Sequence, residues 1–166
     1  MTAKRADNIT IVDADLSRAD HQHALLAMLE AYMLDPMEGG VPPSAQVKRD
    51  LVPGLRAHPA CYVLLAYQAG APVGFAICFL GFSTFLARPL LNIHDIFVDA
   101  SLRGAGIGAM LLDRIEAKAR DLNCCRITLE VREDNRVARG LYRKVGFDRV
   151  RVGAERAIME FWHKPL

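Results

Sequence analysis

Arg103-Gly104-Ala105-Gly106-Ile107-Gly108 leads straight into an apolar periodicity at Ile107, Leu111 and Ile115, so a glycine-rich turn opens a helix. Glycines let a backbone approach an anion closely. The first amides of a helix lack intrahelical acceptors and sit at the positive end of its dipole. The chemistry this suits is the holding of a pyrophosphate by the amides of Arg103, Gly104, Ala105, Gly106, Ile107, Gly108 and Ala109. The same glycines would equally serve a tight turn that packs a helix on a sheet. A nucleoside-triphosphate loop is excluded, because Gly108 is followed by Ala109-Met110 rather than lysine and a hydroxyl residue. A dinucleotide fingerprint is excluded too: its glycines are spaced by one and then two residues, and these by one and one.

A second constellation lies at Asn135-Arg136-Val137-Ala138-Arg139-Gly140-Leu141-Tyr142, followed by Arg143-Lys144-Val145-Gly146-Phe147. Asn135 and Tyr142 are almost two helical turns apart and share a face about 10 Å long, with the small Ala138 between them. An amide, a methyl and a phenol in a row fit an extended ligand that carries amides and ends in a proton acceptor. The plainer alternative is a helix cap at Asn135 and a core tyrosine at Tyr142. Asn92, His94 and Asp95 form a third group, polar residues inside an otherwise apolar run over 90–98 that reads as a central strand. Successive strand residues alternate faces, so His94 and Asp95 share a cleft only if the strand bulges.

The elements that must position these groups follow from periodicity. Leu25, Met28, Leu29, Tyr32 and Met33 recur at helical spacing after a capping-type start at Ser17 and Asp20, which predicts a helix ending near Asp35-Pro36. The stretch Gly39-Gly40-Val41-Pro42-Pro43 is loop, Ser44 caps a short second helix, and Pro53-Gly54 should break or kink it. Residues 61–67 and 73–80 read as an antiparallel hairpin around the turn 68–72, and residues 90–98 as a third strand. A long amphipathic helix runs from Ile107 to about Asp121, a strand covers 126–131, and a helix starts at Asn135 and ends at a glycine cap, Gly146. A last strand is expected near 157–162. The passage from 90 to 131 should be a right-handed parallel unit, which makes the fold mixed α/β with a largely antiparallel first half.

The 166 residues are 52% apolar and 24% charged, enough for one domain with a real core. Twenty-one basic against nineteen acidic side chains leave a net charge of +2, too balanced for a protein whose affinity rests on a polyanion field. No run of eighteen apolar residues occurs, and residues 1–7 lack the apolar stretch of a signal peptide, so the expectation is a cytoplasmic protein with no membrane partner. Cys61 and Cys78 lie in apolar runs, and Cys124 and Cys125 are neighbours. None has zinc-knuckle spacing, so buried thiols are expected, with no metal and no disulfide.

The glycine loop after residue 90, followed at this separation by Asn135 through Phe147, resembles the acetyl-CoA-binding core of GNAT-type N-acetyltransferases. The resemblance covers residues 90–147, about a third of the chain, within one domain spanning 1–166. It implies a single-domain α/β fold: a twisted, mostly antiparallel mixed sheet, splayed into a V between its central strands and flanked by helices. By similarity, the amides from Arg103 through Ala109 would hold the CoA pyrophosphate, and the backbone of Ile96, Phe97 and Val98 would pair with pantetheine like an added strand. Asn135, with the backbone near Arg136 and Ala138, would contact the far side of the cofactor, and Tyr142 would protonate the departing thiolate. The reaction implied is direct attack of a neutral primary amine on the thioester, with a strand amide near Phe97 stabilising the oxyanion. The amine needs a base. His94, an imidazole, is the first choice, and Asp95 and Glu130 are the others. A histidine merely hydrogen-bonded beneath the sheet is the alternative for His94.

Residues 82–95 look most like the enzymes that acetylate small diamines and polyamines, although the closest of those carry an acidic residue where this chain has His94. Asp35, Glu38, Asp95 and Glu130 would make an acidic entrance for a small cationic amine, or are simply a solvated face. Arg132, Arg136, Arg139, Arg143 and Lys144 would steer CoA phosphates, or favour a helix C-terminus. The interleaved aromatics that stack bases are absent there, Tyr142 being the only one in the cluster before Phe147, so no nucleic-acid partner is expected. The rival readings are a non-catalytic acyl-CoA sensor or partner-binding domain, a longer acyl donor, and a protein N-terminus or lysine as acceptor. Exposed strand edges and Phe161-Trp162 suggest a homodimer.

Overall fold

The computed structural model describes residues 8–149, 151–152, 157–158 and 164. The chain divides into two compact units, Met1–Arg132 and Glu133–Leu166. In the first unit the element order is β1 (Ile9–Asp13), α1 (Ala19–Met33), α2 (Ala45–Ala57), β2 (Cys61–Gln68), β3 (Ala71–Ser83), β4 (Arg88–Val98), α3 (Ile107–Asp121) and β5 (Ile127–Leu129). The five strands form one sheet in sequence order. β1 through β4 pair antiparallel, and β5 joins β4 in parallel. The mixed α/β class and the hairpin expected from the sequence are both present.

Alternation along the strands sorts two cores. Val63, Leu65, Phe75, Ile77 and Phe97 pack with Ala24, Leu25, Met28 and Leu29 of α1. Leu64, Ala66, Ala76 and Cys78 are equally buried and point to the opposite face. There α3, which packs on β1 through β4, presents Ile107, Leu111, Leu112, Ile115 and Ala119.

Three local expectations are corrected. Ser17 does not cap α1: its amide and hydroxyl both turn to Asp15 Oδ1, at 2.9 and 2.6 Å, and Arg18 takes the cap position without a side-chain bond. Pro53 does not break α2, which runs through it. Proline removes the bond to the carbonyl four residues back, but Pro53 and Arg49 lie on an exposed helix where water replaces that donor. A strand also precedes α1, where periodicity predicts none: β1 joins the edge of β2 from Ile9 opposite Gln68 to Asp13 opposite Leu64. Ser44 does cap α2, accepting from the Val47 amide at 3.2 Å.

The second unit holds α4 (Arg136–Lys144) and a two-stranded ribbon of β6 (Arg151–Val152) and β7 (Ala157–Ile158). Gly146, at φ 95°, follows α4 as the sequence implies. Only Ala157–Ile158 of the expected last strand is described. Phe161 and Trp162, and the dimer contact expected of them, lie outside the described residues.

Two glycines predict opposite stability changes. A Cβ on Gly74 would stand 2.7 Å from the Phe97 carbonyl oxygen, so Gly74→Ala must push β3 from β4 and should cost about 1–3 kcal/mol. Gly54, inside α2, has nothing within 4 Å of that position, and Gly54→Ala should gain about 0.5–1 kcal/mol. Urea midpoints of the two variants check both signs.

Candidate active site

β4 sets the site. On β3, Ile77 lies opposite Asp95 while Cys78 lies opposite Ile93, so His94 is an extra residue, a β-bulge. The bulge reverses the face taken by the residues after it. Ile93 pairs with Cys78 on the α3 side, whereas Asp95 pairs with Ile77 and Phe97 joins the α1-side core. His94, exposed, places its ring 5.5 Å from that of Phe79, which packs against the same core. The bulge that a shared cleft requires is therefore present, and it brings His94 and Asp95 to one face. Burial lifts the Asp95 carboxyl above the ordinary carboxylate range, against the opposing pull of His94.

Pairing between β4 and β5 is confined to Leu91–Ile127, Asn92–Thr128 and Ile93–Leu129. Asn92 gains its reason there, since its Nδ2 donates to Thr128 Oγ1 at 3.2 Å and ties the strands just before they part. From Asp95 to Val98, β4 pairs with β3 on one side and, among the described residues, has no strand on the other. This is the splay. Peptide groups alternate sides along a strand, so those within 96–98 that turn away from β3 face that edge, where an added strand or an amide-bearing chain can pair, while the Val98 carbonyl accepts from Arg103 Nε at 3.3 Å. Glu130 comes just after β5 in non-strand conformation and is exposed.

β4 ends at the glycine loop. Asp99 Oδ1 accepts from the Ser101 amide and hydroxyl at 2.8 and 2.5 Å, which shapes the 3₁₀ turn Ala100–Leu102. Gly104 and Gly106 then take left-handed φ of 83° and 89°. A Cβ at either would meet nothing within 4 Å, so the space beside the loop is open. Gly106 begins α3 with no side-chain cap, and the first amide bonded back is Met110, to the Gly106 carbonyl at 3.1 Å. The amides of Ile107, Gly108 and Ala109 thus have no acceptor within the helix, while the Ile107 side chain is fully buried and fixes their direction. These donors fit a phosphate group.

The Arg103 guanidinium turns elsewhere. It donates to Asp35 Oδ2 at 2.5 Å and to the Val98 carbonyl at 3.3 Å, and lies 5.7 Å from the Phe97 ring centre. Asp35 is therefore already paired and is no part of an acidic entrance. Sequence reading misses this partnership, because nothing in a sequence couples positions 68 residues apart.

In the second unit, Asn135 Oδ1 accepts from the Ala138 amide at 3.0 Å, so Asn135 is a helix cap, with its Nδ2 pointing outside that bond. Tyr142 is buried, its ring 5.8 Å from Phe147, and Ala138 is half-buried on the same helix face. Arg136 is exposed, Arg139 donates to the Glu133 carbonyl, and Arg149 reaches the Glu133 carboxylate at 3.8 Å. Among the described residues no helix is long and apolar enough to cross a membrane, and no three metal-ligating side chains cluster.

A mixed sheet whose edge strand β5 leaves β4 after three residue pairs, with an uncapped helix start at the open end, is an α/β arrangement that matches acetyltransferase structures. The chain belongs to the acetyltransferase (GNAT) family, whose profile matches residues 25–147. It is 36% identical over 150 residues to N-alpha-acetyltransferase RimI of Mycobacterium tuberculosis, covering 87% of this chain and 83% of that one. It is 30% identical over 101 residues to thialysine N-epsilon-acetyltransferase of Bos taurus, covering 56% of this chain and 59% of that protein. Among solved structures, AAC(6')-Iy in complex with the bisubstrate analog CoA-S-monomethyl-acetylneamine matches with a TM-score of 0.73 at 15% identity, over 96% of this chain and all of that one.

The raised Asp95 carboxyl gives a signed prediction. The folded state binds this proton more tightly than the unfolded chain, so the charged form is a burden above the folded pKa that lifts as the pH falls through it. Asp95→Asn should therefore be more stable than wild type at pH 7. The advantage should shrink on acidification toward pH 4, as measured by urea midpoints across that range.

Proposed function

We propose that the protein is an N-acetyltransferase that moves the acetyl group of acetyl-CoA to a primary amine by direct attack in a ternary complex, the acceptor being a small cationic amine. The observation that carries this is the uncapped amide cradle of the glycine loop at the end of a strand whose edge is open. Of the loop amides from Arg103 through Ala109, that of Ala105 is spent on the Leu102 carbonyl at 3.2 Å and the others hold the pyrophosphate, while the backbone of Ile96, Phe97 and Val98 aligns the pantetheine arm. Acetyl-CoA, when bound, supplies the activated thioester.

His94 takes a proton from the incoming ammonium. The amine nitrogen then bonds to the carbonyl carbon, the amide near Phe97 stabilises the oxyanion, and the carbon–sulfur bond breaks. Tyr142 gives its proton to the leaving sulfur, the second proton shed by the nitrogen as the amide forms restores the Tyr142 phenol, and His94 releases its proton to solvent. Asn135 with Arg136 and Ala138 supports the cofactor from its own helix. Asp95, burdened by burial, favours a cationic acceptor, and the exposed Glu38 and Glu130 add to that preference. A name among the relatives, thialysine N-epsilon-acetyltransferase, agrees with a small amine. A relative that covers most of this chain is named for an N-alpha-amine, which supports a protein N-terminus as the second reading. Four free cysteines suit a cytoplasmic enzyme. The β3–β4 turn, where Phe82 and Leu86 are exposed and Phe85 is 96% exposed, supports a homodimer.

Thiol release from acetyl-CoA across polyamines, lysine analogues, aminoglycosides and N-terminal peptides tests this. Tyr142→Phe should lower kcat about 10²- to 10⁴-fold with little change in the KM for acetyl-CoA. His94→Gln should depress the rate on the best amine and alter its pH profile. Tight acetyl-CoA binding, with no amine raising thiol release above the Tyr142→Phe level, would replace the enzyme by a sensor.

A further inference from the structure

Arginine is the residue best suited to grip phosphate, with a planar fork of donors. The one arginine of the glycine loop is nevertheless committed to the protein. Its guanidinium bonds to Asp35, whose side chain is only 10% exposed, while that of Arg103 is 43% exposed. The bond to the Val98 carbonyl and the approach to the Phe97 ring fix its direction from two further sides. The other Asp35 oxygen, Oδ1, accepts from the Met37 amide at 2.9 Å, capping the 3₁₀ turn Pro36–Glu38. That turn leads into Gly39 and Gly40, at φ of 102° and 69°, and on to α2. One carboxylate thus joins the end of α1, the connection to α2 and the glycine loop.

We propose that Asp35 is a positioning residue for the cofactor, clamping Arg103 so that loop 103–106 keeps the shape in which its amides, and not its guanidinium, hold the phosphates. The clamp rests on the cofactor reading above and involves a residue outside the motifs of residues 90–147. The physical need is plain. Gly104 and Gly106 give the loop a backbone with little preference of its own, so its conformation must be anchored from outside. The buried Ile107 anchors one end, and the clamp on Arg103 anchors the other. Swinging the guanidinium to a phosphate would strand a nearly buried carboxylate without its partner, which opposes the swing.

Acetyl-CoA titrated calorimetrically into wild type, Asp35→Asn, Arg103→Met and the double variant, with steady-state rates beside them, decides the matter. Each single change should weaken binding about tenfold, the loss of one charge-assisted hydrogen bond, and the double should be no weaker than either single. For Asp35→Asn the loss should appear in the KM for acetyl-CoA rather than in kcat. Asp35→Glu, which keeps the ion pair, should restore most of the affinity, and this variant serves if Asp35→Asn fails to fold. Single variants that bind like wild type overturn the clamp. So does a double variant about a hundredfold weaker than wild type, because that places Arg103 on the phosphate by itself. A wild-type chain that binds no acetyl-CoA overturns the cofactor reading and the clamp together.

Discussion

A single surplus residue in β4 governs the site. A strand has a period of two, so without His94 as an extra residue Asp95 would follow Ile93 onto the α3 side, and Phe97 would leave the α1-side core. Instead Ile93 stays with Cys78 beneath α3, and the chain below the bulge changes sides. Phe97 then closes the core with Phe75 and Tyr32, at ring separations of 6.2 and 5.6 Å. That packing repays the broken register. It also decides which side chains line the open face, since a histidine and an aspartate adjacent in sequence end on the same side of the sheet.

The bulge and the splay act together. Strand pairing satisfies peptide groups, so a strand that loses its neighbour must find other partners or face solvent. β5 leaves β4 after three residue pairs, with Asn92 and Thr128 bonded at the point of departure. Below it the strand keeps β3 and loses β5, and beyond Val98 the chain reaches loop amides with no helical acceptor. Among the described residues, a strand edge with no strand beside it and a helix start with no capping side chain are placed end to end. A ligand with a chain of amides joined to phosphates, the one proposed above, has hydrogen-bonding groups suited to both.

Much of this is legible in the sequence. The hydrophobic period defines α3 to the residue, from Ile107 to Asp121, because a long buried stripe has few alternatives. The β2–β3 hairpin is legible too, with Gly70 in its turn, although its strands run to Gln68 and from Ala71 to Ser83, beyond the expected 61–67 and 73–80. Two local readings fail because their signals compete. Ser17 is a good cap in isolation, but its amide and hydroxyl both donate to Asp15 and Arg18 takes the cap position, and an exposed proline in α2 costs less than its reputation suggests. Within the site, the residue types are legible and their partnerships are not. Asn135 does cap α4, which is the plainer alternative, and Asp35, an entrance carboxylate by sequence, is held by Arg103 well below the ordinary carboxylate range. Long-range ion pairs leave no periodic trace.

The cysteines bear on which acyl-transfer route this chain can support. A covalent route would need a thiolate near the open face, since the thiolate and not the thiol is the nucleophile. Cys78 is fully buried, its thiol is pushed up to about 12 by burial, and it shares the α3 side with Ile93, away from His94. Burial raises the Cys61 thiol as well. Cys124 and Cys125 lie beside the start of β4, where the Cys125 amide bonds to the Pro89 carbonyl, nine residues up the strand from Val98. None is both activated and placed at the splayed end. Transfer straight from thioester to amine, the route proposed above, asks nothing of these thiols.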